Sequence, residues 1–265
     1  MLDTSSRDYL ARLIREAGEA VMAHYREGVE VTTKADQSPL TAADRASHEC
    51  LVAGLRGRFP EWPVLSEEGA DIPFEERRGW RVFWLVDPLD GTKEFIRRNG
   101  EFTINIALIV EGRPVWGLVY LPVTRVLYGG GSETGAWRQE EDGPPTPIRC
   151  RRLPDGEPLT VVGSRSHASP ALETFLAGLP VRELISVGSS LKFCRVAEGV
   201  ADLYPRFGPT MEWDTAAGHA VVLGAGGVVV DGAGKPMRYN QRPTLLNGRF
   251  LAAARPWGEQ WRRAG

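Results

Sequence analysis

The pattern of apolar and polar positions divides the chain into a helical start, a strand-rich middle and an alternating second half. Apolar residues recur at helical spacing from Leu10 to Val21, which predicts a helix capped by Ser5 or Ser6. A second helix is predicted from Thr41, with Asp44 three residues later as in a capping box. Short apolar or alternating runs then indicate strands at 64–65, 82–86, 102–110, 115–121, 126–128 and 136–137.

The second half alternates between strands and helices. Segments 140–147 and 154–158 are rich in proline, glycine and acidic residues, which is typical of loops or of a joint between domains. Beyond them, predicted strands at 159–162, 184–187 and 228–230 alternate with predicted helices at 170–177, 191–197 and 214–223. We therefore expect an α+β half over residues 1–155 and an α/β half over residues 156–265.

Composition narrows the classes of partner. The formal net charge of −2 does not favour a nucleic-acid partner, although a small anionic ligand remains compatible because a metal ion can supply positive charge. Three widely spaced cysteines make a zinc site or a disulfide framework unexpected, and they fit a reducing compartment. The uncharged stretch 215–230 is shorter than the roughly 18 residues of a membrane-spanning helix. A cytoplasmic location is expected, with peripheral attachment at the inner membrane left open.

The segment DPLDGT, residues 87–92, carries the strongest chemical signal. It follows an apolar strand and holds Asp87 and Asp90 three residues apart, on a turn that Pro88 and Gly91 would fix. Two carboxylates held this close repel each other unless a cation lies between them, and hard oxygen ligands suit Mg²⁺. The structural alternative is a turn in which Asp90 caps a helix, but that leaves Asp87 unexplained.

Two other acidic positions are candidates for the same metal site. Glu67 follows the short strand 64–65, and the ends of neighbouring strands would bring it close to Asp87. Its structural alternative is a solvated turn. Asp214 opens a predicted helix, so its alternative role is that of a helix cap.

Three longer strings resemble the signatures of the inositol monophosphatase superfamily, namely LSEE, WLVDPLDGTKEF and WDTAAGH. Further strings are similar to the bacterial CysQ branch of its 3′(2′),5′-bisphosphate nucleotidases: KADQSPLTAAD, RRNGEFTINIALI, SRSH, GSSLKFCRVAEG and LYPRFGPT. The resemblance extends from residue 1 to about residue 239. It implies a layered αβαβα sugar-phosphatase fold of the α/β class and a Mg²⁺-dependent phosphomonoesterase.

The same resemblance implies a ligand set for two or three Mg²⁺ ions. One ion would bind Glu67, Asp87 and the carbonyl of Leu89, and a second would bind Asp87, Asp90 and Asp214. The backbone amides of Gly91 and Thr92 would bind the phosphate at a helix N-terminus. The residues implied to orient or deprotonate the attacking water are Asp44 and Thr92, with Glu67 as the other candidate base.

Four positions of the second half resemble residues that bind the sugar and 5′-phosphate of a nucleotide: His167, Ser189, Lys192 and Arg206. Each has a structural alternative, as a helix cap for His167 and Ser189 and as a surface charge for Lys192 and Arg206. With these, the implied substrate contacts are Glu67, Leu89, Asp90, Gly91, Thr92 and Asp214. The implied reaction belongs to sulfate assimilation and converts 3′-phosphoadenosine 5′-phosphate, which is also called adenosine 3′,5′-bisphosphate, to AMP and phosphate. The resemblance also implies that lithium inhibits the enzyme.

Two alternatives stay open at this point. One is a phosphatase of the same fold that acts on inositol or fructose phosphates. The other is a non-enzymatic sensor that binds a metal or nucleotide without turnover. The complete set of four acids together with Thr92 argues against a sensor, since binding alone would not need groups that orient water.

Overall fold

A computed structural model of the chain describes residues 2–27, 31–33, 39–152, 156–164, 170–254 and 261. A single-turn 3₁₀ helix spans Glu67–Gly69. The α-helices of the described part are α1 (Thr4–Glu27), α2 (Ala42–Arg58), α3 (Phe74–Arg77), α4 (Thr92–Ile96), α5 (Pro170–Ala177), α6 (Leu191–Ala197) and α7 (Glu212–Gly224). None of them is long and apolar enough to cross a membrane.

The larger sheet has seven strands in chain order, and its neighbours pair antiparallel except for the first two, which are parallel. Its strands are β3 (Val64–Ser66), β4 (Val82–Asp90), β5 (Thr103–Val110), β6 (Arg113–Leu121), β7 (Val126–Gly131), β8 (Gly135–Glu140) and β9 (Thr146–Ile148). A two-stranded ribbon, β1 (Val31–Thr33) with β2 (Pro39–Thr41), precedes it in the chain.

The smaller sheet has five strands in the order β11-β10-β12-β14-β13, so the chain crosses over within it. Its strands are β10 (Leu159–Ser164), β11 (Val181–Val187), β12 (Leu203–Arg206), β13 (Val228–Asp231) and β14 (Phe250–Ala253). β10 pairs parallel with β11 and β12, whereas β14 pairs antiparallel with β12 and β13.

Successive side chains of β4 point to opposite faces of the larger sheet, and each face packs against a different layer of the fold. Trp84 and Val86 point into one core cluster with Leu10 of α1 and Leu51 of α2. Phe83 and Leu85, one position out of phase, point into a second cluster, which contains Val221 of α7 and Phe250 of β14. A third cluster joins Phe175 of α5 to Val161 and Leu251 on the outer face of the smaller sheet. The layers are therefore αβαβα, as the family resemblance implies.

A close approach between α7 and the larger sheet places the start of α7 near the strand ends. A side chain at Gly117 of β6 would come within 2.7 Å of the carbonyl oxygen of Ala217. Because Gly117 lacks a side chain, the helix backbone can lie directly on the sheet. Asp214, one turn before Ala217, is carried towards the end of β4 by this packing.

The structure corrects several sequence predictions. Asp3, not Ser5 or Ser6, caps α1, since its Oδ1 accepts the N–H of Ser6 at 2.7 Å. Strand β4 continues to Asp90, so both aspartates of the DPLDGT segment lie in a strand rather than on a turn. Helix α7 begins two residues before Asp214. Strands β1, β2, β9, β12 and β14 were not predicted; each has only three or four residues, which is short for recognising the period of a strand.

Candidate active site

A bulge at the end of β4 separates the two aspartates. Asp87 pairs with Asn105 of β5 and Asp90 pairs with Thr103, so β4 has one residue more than its partner over this interval. The hydroxyl of Ser47 on α2 donates a hydrogen bond to the carbonyl oxygen of Pro88 at 2.7 Å. That contact is fully buried and fixes the bulged backbone from the helical side.

Gly91 turns the chain from β4 into α4. Its φ of 92° is in the left-handed region, and a side chain there would lie 3.2 Å from Glu94 Oε2 and 3.3 Å from Ser189 Cβ. Glycine is therefore required for the backbone conformation and for the close approach of Ser189. The turn places Thr92 at the first position of α4, directly beside the carboxylates.

Glu67 and Asp214 reach the same region from other elements. Glu67 follows β3, which lies parallel to β4, so both strands end at the same edge of the sheet. Just before Glu67, the Oγ of Ser66 lies 2.8 Å from Nδ1 of His48 on α2, which ties this strand end to the helix. Asp214 is in the first turn of α7, where its Oδ2 accepts the N–H of Met211 at 2.9 Å.

These elements enclose a cavity of about 410 Å³. Ten of the residues that the sequence indicated line it: Glu67, Asp87, Leu89, Asp90, Gly91, Thr92, Ser189, Lys192, Arg206 and Asp214. Asp44 lies behind the wall, 1% exposed. His167 lies outside the described residues.

Burial and mutual repulsion raise the pKa values of the carboxylates in the cavity. Burial raises the pKa of Asp87 well above its usual range, and the neighbouring charges of Glu67, Asp90 and Asp214 raise it further. Burial and then Asp90 raise the pKa of Asp214 in the same way. The pKa of Asp90 is also raised by burial, although Lys192 opposes this increase. Glu67, Asp87, Asp90 and Asp214, four of the five described acids that line this cavity, are costly when all are ionised, and a cation removes that cost.

The donor set fits Mg²⁺. Asp87 Oδ1 accepts the N–H of Leu89 at 3.0 Å, whereas its Oδ2 is buried without a hydrogen-bond partner within the described residues. In that part of the chain, no three His, Cys, Asp or Glu side chains are already gathered as a metal cage. The available ligands are oxygens of carboxylates and of one carbonyl, the type that Mg²⁺ prefers over softer donors.

Asp44 connects the cap of α2 to Thr92. Its Oδ2 accepts the backbone N–H of Thr41 at 2.8 Å and the hydroxyl of Thr41 at 2.6 Å. Its Oδ1 faces the hydroxyl of Thr92 at 3.4 Å, near the long limit of a hydrogen bond. One carboxylate therefore has both the capping role and the contact with Thr92 that the sequence indicated as alternatives.

Two buried basic side chains, Lys192 and Arg206, also line the cavity. Burial lowers the pKa of Lys192 to about 8, and its Nζ donates to the carbonyl oxygens of Val187 and Ser189. Arg206 donates to the carbonyl oxygen of Pro209, while its Nε is buried without a hydrogen-bond partner among the described residues. Lys192 and Arg206 are 5% and 8% exposed, so neither is an ordinary surface charge.

Sequence reasoning missed residues that support the acids. Ser190 donates its N–H to Asp90 and contacts Thr103 and Asn105, all of them buried. All three residues lay within segments of recognised similarity, but nothing in the spacing of Thr103 and Asn105 separates them from other residues of an alternating strand.

A larger cavity of about 1120 Å³ lies beside β13 and the middle of α7. Basic side chains such as Arg113, Lys235 and Arg238 line it, with Asp231 as its one acidic residue among those described. It contains none of the residues that the sequence indicated. The smaller cavity is the candidate site because it combines the acids, a hydroxyl and two buried cations.

Sequence comparison finds close relatives over nearly the whole chain. It is 53% identical over 246 residues to the 3′(2′),5′-bisphosphate nucleotidase CysQ of Escherichia coli K12, with 92% of this chain and 97% of that protein covered. It is 42% identical over 251 residues to the CysQ nucleotidase of Buchnera aphidicola, with 93% of each protein covered.

Solved structures of other proteins are similar to this chain over nearly its whole length. CysQ from Bacteroides thetaiotaomicron superimposes with a TM-score of 0.80 at 44% identity, with 93% of this chain and 97% of that chain covered. An inositol monophosphatase of Thermotoga maritima gives a TM-score of 0.81 over 98% of this chain and 96% of its own, but at 22% identity it supports the fold alone. The model of the inositol monophosphatase family matches residues 4–264. The chain belongs to the inositol monophosphatase family.

Proposed function

We propose that this chain is a Mg²⁺-dependent 3′(2′),5′-bisphosphate nucleotidase, which converts 3′-phosphoadenosine 5′-phosphate and water to AMP and phosphate. The observation that carries the proposal is the cavity in which Glu67, Asp87, Asp90 and Asp214 face two buried cations. The relatives named as bisphosphate nucleotidases, at 42–53% identity, support the same reaction. Cytoplasmic sulfur metabolism is the proposed setting.

Charge distribution supports a substrate with two phosphates. The acids would hold the 3′-phosphate through Mg²⁺, whereas Lys192 and Arg206 would bind a second anionic group directly. An inositol monophosphate has no second phosphate with which to neutralise these cations. Burying these two cations beside bound Mg²⁺ is unfavourable without a further anion, so the bisphosphate is the better match.

Glu67, Asp87, Asp90, Asp214 and the carbonyl of Leu89 would hold two or three Mg²⁺ ions. Bound Mg²⁺ would supply Lewis-acid chemistry, making water a better nucleophile at neutral pH and offsetting charge on the phosphoryl oxygens. Lithium, a small hard cation of lower charge, would compete for one of these positions. Full activity in excess chelator would contradict this role.

The protein groups would act on the water and its proton. The hydroxyl of Thr92 would accept a hydrogen bond from the water and donate its own proton towards Asp44 Oδ1, 3.4 Å away. The water oxygen would form a bond to phosphorus, the bond from phosphorus to the 3′-oxygen would break, and that oxygen would take up the proton that the water releases to become the hydroxyl of AMP. Amides at the start of α4 would bind the phosphate oxygens.

The test is phosphate release from 3′-phosphoadenosine 5′-phosphate and from inositol 1-phosphate, side by side, with Mg²⁺ present and absent. We expect many equivalents of phosphate per chain from the nucleotide, only when Mg²⁺ is present, and a much smaller rate from inositol 1-phosphate. A higher kcat/KM on inositol 1-phosphate would contradict the substrate assignment. Release that stops at one equivalent would contradict enzymatic turnover.

A further inference from the structure

Asp90 differs from Asp87 and Asp214 in the origin of its hydrogen-bond donor. Asp87 and Asp214 accept backbone N–H groups from residues two and three positions away in the chain. Asp90 Oδ2 instead accepts the N–H of Ser190 at 2.5 Å, from a residue 100 positions away. Its orientation therefore depends on how the segment before α6 docks against the larger sheet.

The hydroxyl of Ser190 is anchored on β5. Its Oγ lies 2.7 Å from Oγ1 of Thr103 and 2.8 Å from Oδ1 of Asn105. Ser190 is 2% exposed, and Thr103 and Asn105 are completely buried. Thr103 is also the residue of β5 that pairs with Asp90. The two hydroxyls and the Asn105 amide oxygen thus satisfy one another directly beneath the carboxylate, whereas Asn105 Nδ2 has no hydrogen-bond partner among the described residues.

Counting protons assigns the donors. The Ser190 hydroxyl has one proton, which it donates to Asn105 Oδ1, so it accepts the proton of the Thr103 hydroxyl. Thr103 Oγ1 lies 3.5 Å from Asp90 Oδ2, too far for a strong bond, and its single proton is already used. The N–H of Ser190 is therefore the main donor to this oxygen, and Thr103 acts on Asp90 through Ser190.

The segment that carries Ser190 is constrained on both sides. Ser189 has a φ of 45°, in the left-handed region, and its carbonyl oxygen accepts a hydrogen bond from Lys192. The N–H of Gly188 donates to Glu101 Oε2 at 2.8 Å. A side chain at Gly188 would approach the carbonyl oxygen of Glu101 to 2.8 Å, so the two backbones are in close contact. The strained turn is held by groups that belong to both halves of the chain.

We propose that Ser190 is a positioning residue for Asp90, anchored by Thr103 and Asn105. Its buried hydroxyl fixes the 188–190 segment, its N–H fixes Asp90 Oδ2, and the other carboxylate oxygen is thereby directed towards the Mg²⁺ site. The proposal rests on the metal-binding role of Asp90 in the proposed function. It makes the affinity for Mg²⁺ depend on a hydroxyl, Thr103, that does not line the cavity.

The decisive variant is Thr103→Val, which removes the hydroxyl and keeps the shape of the side chain. Thr103→Ser restores the hydroxyl, and Ser190→Ala removes the partner group. Thr160→Val is the matched control, because Thr160 is also a buried strand residue with a hydrogen-bonded hydroxyl, which in this case accepts from Arg182 at 2.8 Å. Mg²⁺ binding is measured by titration calorimetry on the substrate-free protein, together with the increase in Tm that Mg²⁺ produces.

We expect Thr103→Val and Ser190→Ala to raise the Kd for Mg²⁺ about tenfold or more, a usual loss for groups that orient metal ligands. Thr103→Ser and Thr160→Val should leave the Kd unchanged, although Thr160→Val should lower the Tm. An unchanged Kd in Thr103→Val would overturn the proposal, even if the variant melts earlier. Absence of Mg²⁺ binding in the unsubstituted protein would instead contradict the proposed function itself, so the two failures are distinguishable.

Discussion

Asp44→Asn separates the two roles of Asp44, because an amide has one acceptor oxygen where a carboxylate has two. Thr41 donates two hydrogen bonds to Asp44 Oδ2, so the asparagine would keep its oxygen on that side. Its NH₂ group would then face the hydroxyl of Thr92, which lies 3.4 Å from Oδ1 in the unsubstituted protein. Thr92 could no longer donate its proton in that direction.

The expected magnitudes differ for the two roles. Alignment of a water by a general base contributes roughly 10²–10⁴ to the rate, so kcat should fall at least about a hundredfold, or about 2.7 kcal/mol of barrier. The cap is retained, so the loss of stability should be less than the ~1 kcal/mol that an N-cap contributes. KM should change little, because Asp44 is 1% exposed and cannot reach the nucleotide.

The assay measures kcat, KM and Tm on the same preparation of each variant. Thr41→Val is the control, since it removes the hydroxyl donor to Asp44 and leaves Thr92 untouched. It should lower the Tm by about 2–4 °C, the shift for ~1 kcal/mol in a chain of this size, with near-normal kcat. The reasoning is refuted if Asp44→Asn shows the same pattern as Thr41→Val, because Asp44 would then be only a cap.

Three other substitutions test buried titratable side chains. Asp87→Asn should abolish activity. It should leave the Tm of the metal-free protein unchanged or higher, because it removes the charge that Glu67, Asp90 and Asp214 repel. A large drop in that Tm would instead give Asp87 a structural role. Lys192→Ala should raise KM more for the bisphosphate nucleotide than for 3′-AMP, which lacks the 5′-phosphate. Equal increases in KM would limit the role of Lys192 to its hydrogen bond with the Ser189 carbonyl oxygen. Burial lowers the pKa of His219 to about 3, so below pH 6.5 the unfolded state binds a proton that the folded state does not. Stability should therefore fall by about 2 kcal/mol between pH 7 and pH 5 through this group; His219→Gln should lack that increment in urea unfolding, and equal pH slopes in both proteins would contradict it.

The sequence predicts the proximity of Glu67 and Asp87, which depends on strand ends, whereas Asp214 is added to them by the family resemblance. Glu67 and Asp87 each follow an apolar run, and parallel neighbours in a sheet end at the same edge. The apolar run at 82–86 and the alternation at 102–110 likewise predict strands β4 and β5. Both inferences need only local patterns and the period of a strand, which a single sequence displays directly.

The bulge in β4 and the donor to Asp90 could not be predicted in this way. A bulge depends on the register with β5, and no local pattern fixes that register. The contact of Asp90 with Ser190 spans 100 residues and exists only once the two sheets have packed. Strand β14 is equally inaccessible to local reasoning, because its four residues are inserted between two strands that precede it in the chain.

The central claim is that the four acids of the smaller cavity form a divalent-cation site. The most direct measurement is anomalous diffraction from crystals grown with Mn²⁺ in place of Mg²⁺ and with inorganic phosphate. The account predicts anomalous peaks at about 2.0–2.3 Å from carboxylate oxygens of Glu67, Asp87, Asp90 and Asp214, with the phosphate beside Thr92. A crystal that binds Mn²⁺ elsewhere and shows no peak among these four carboxylates would contradict it.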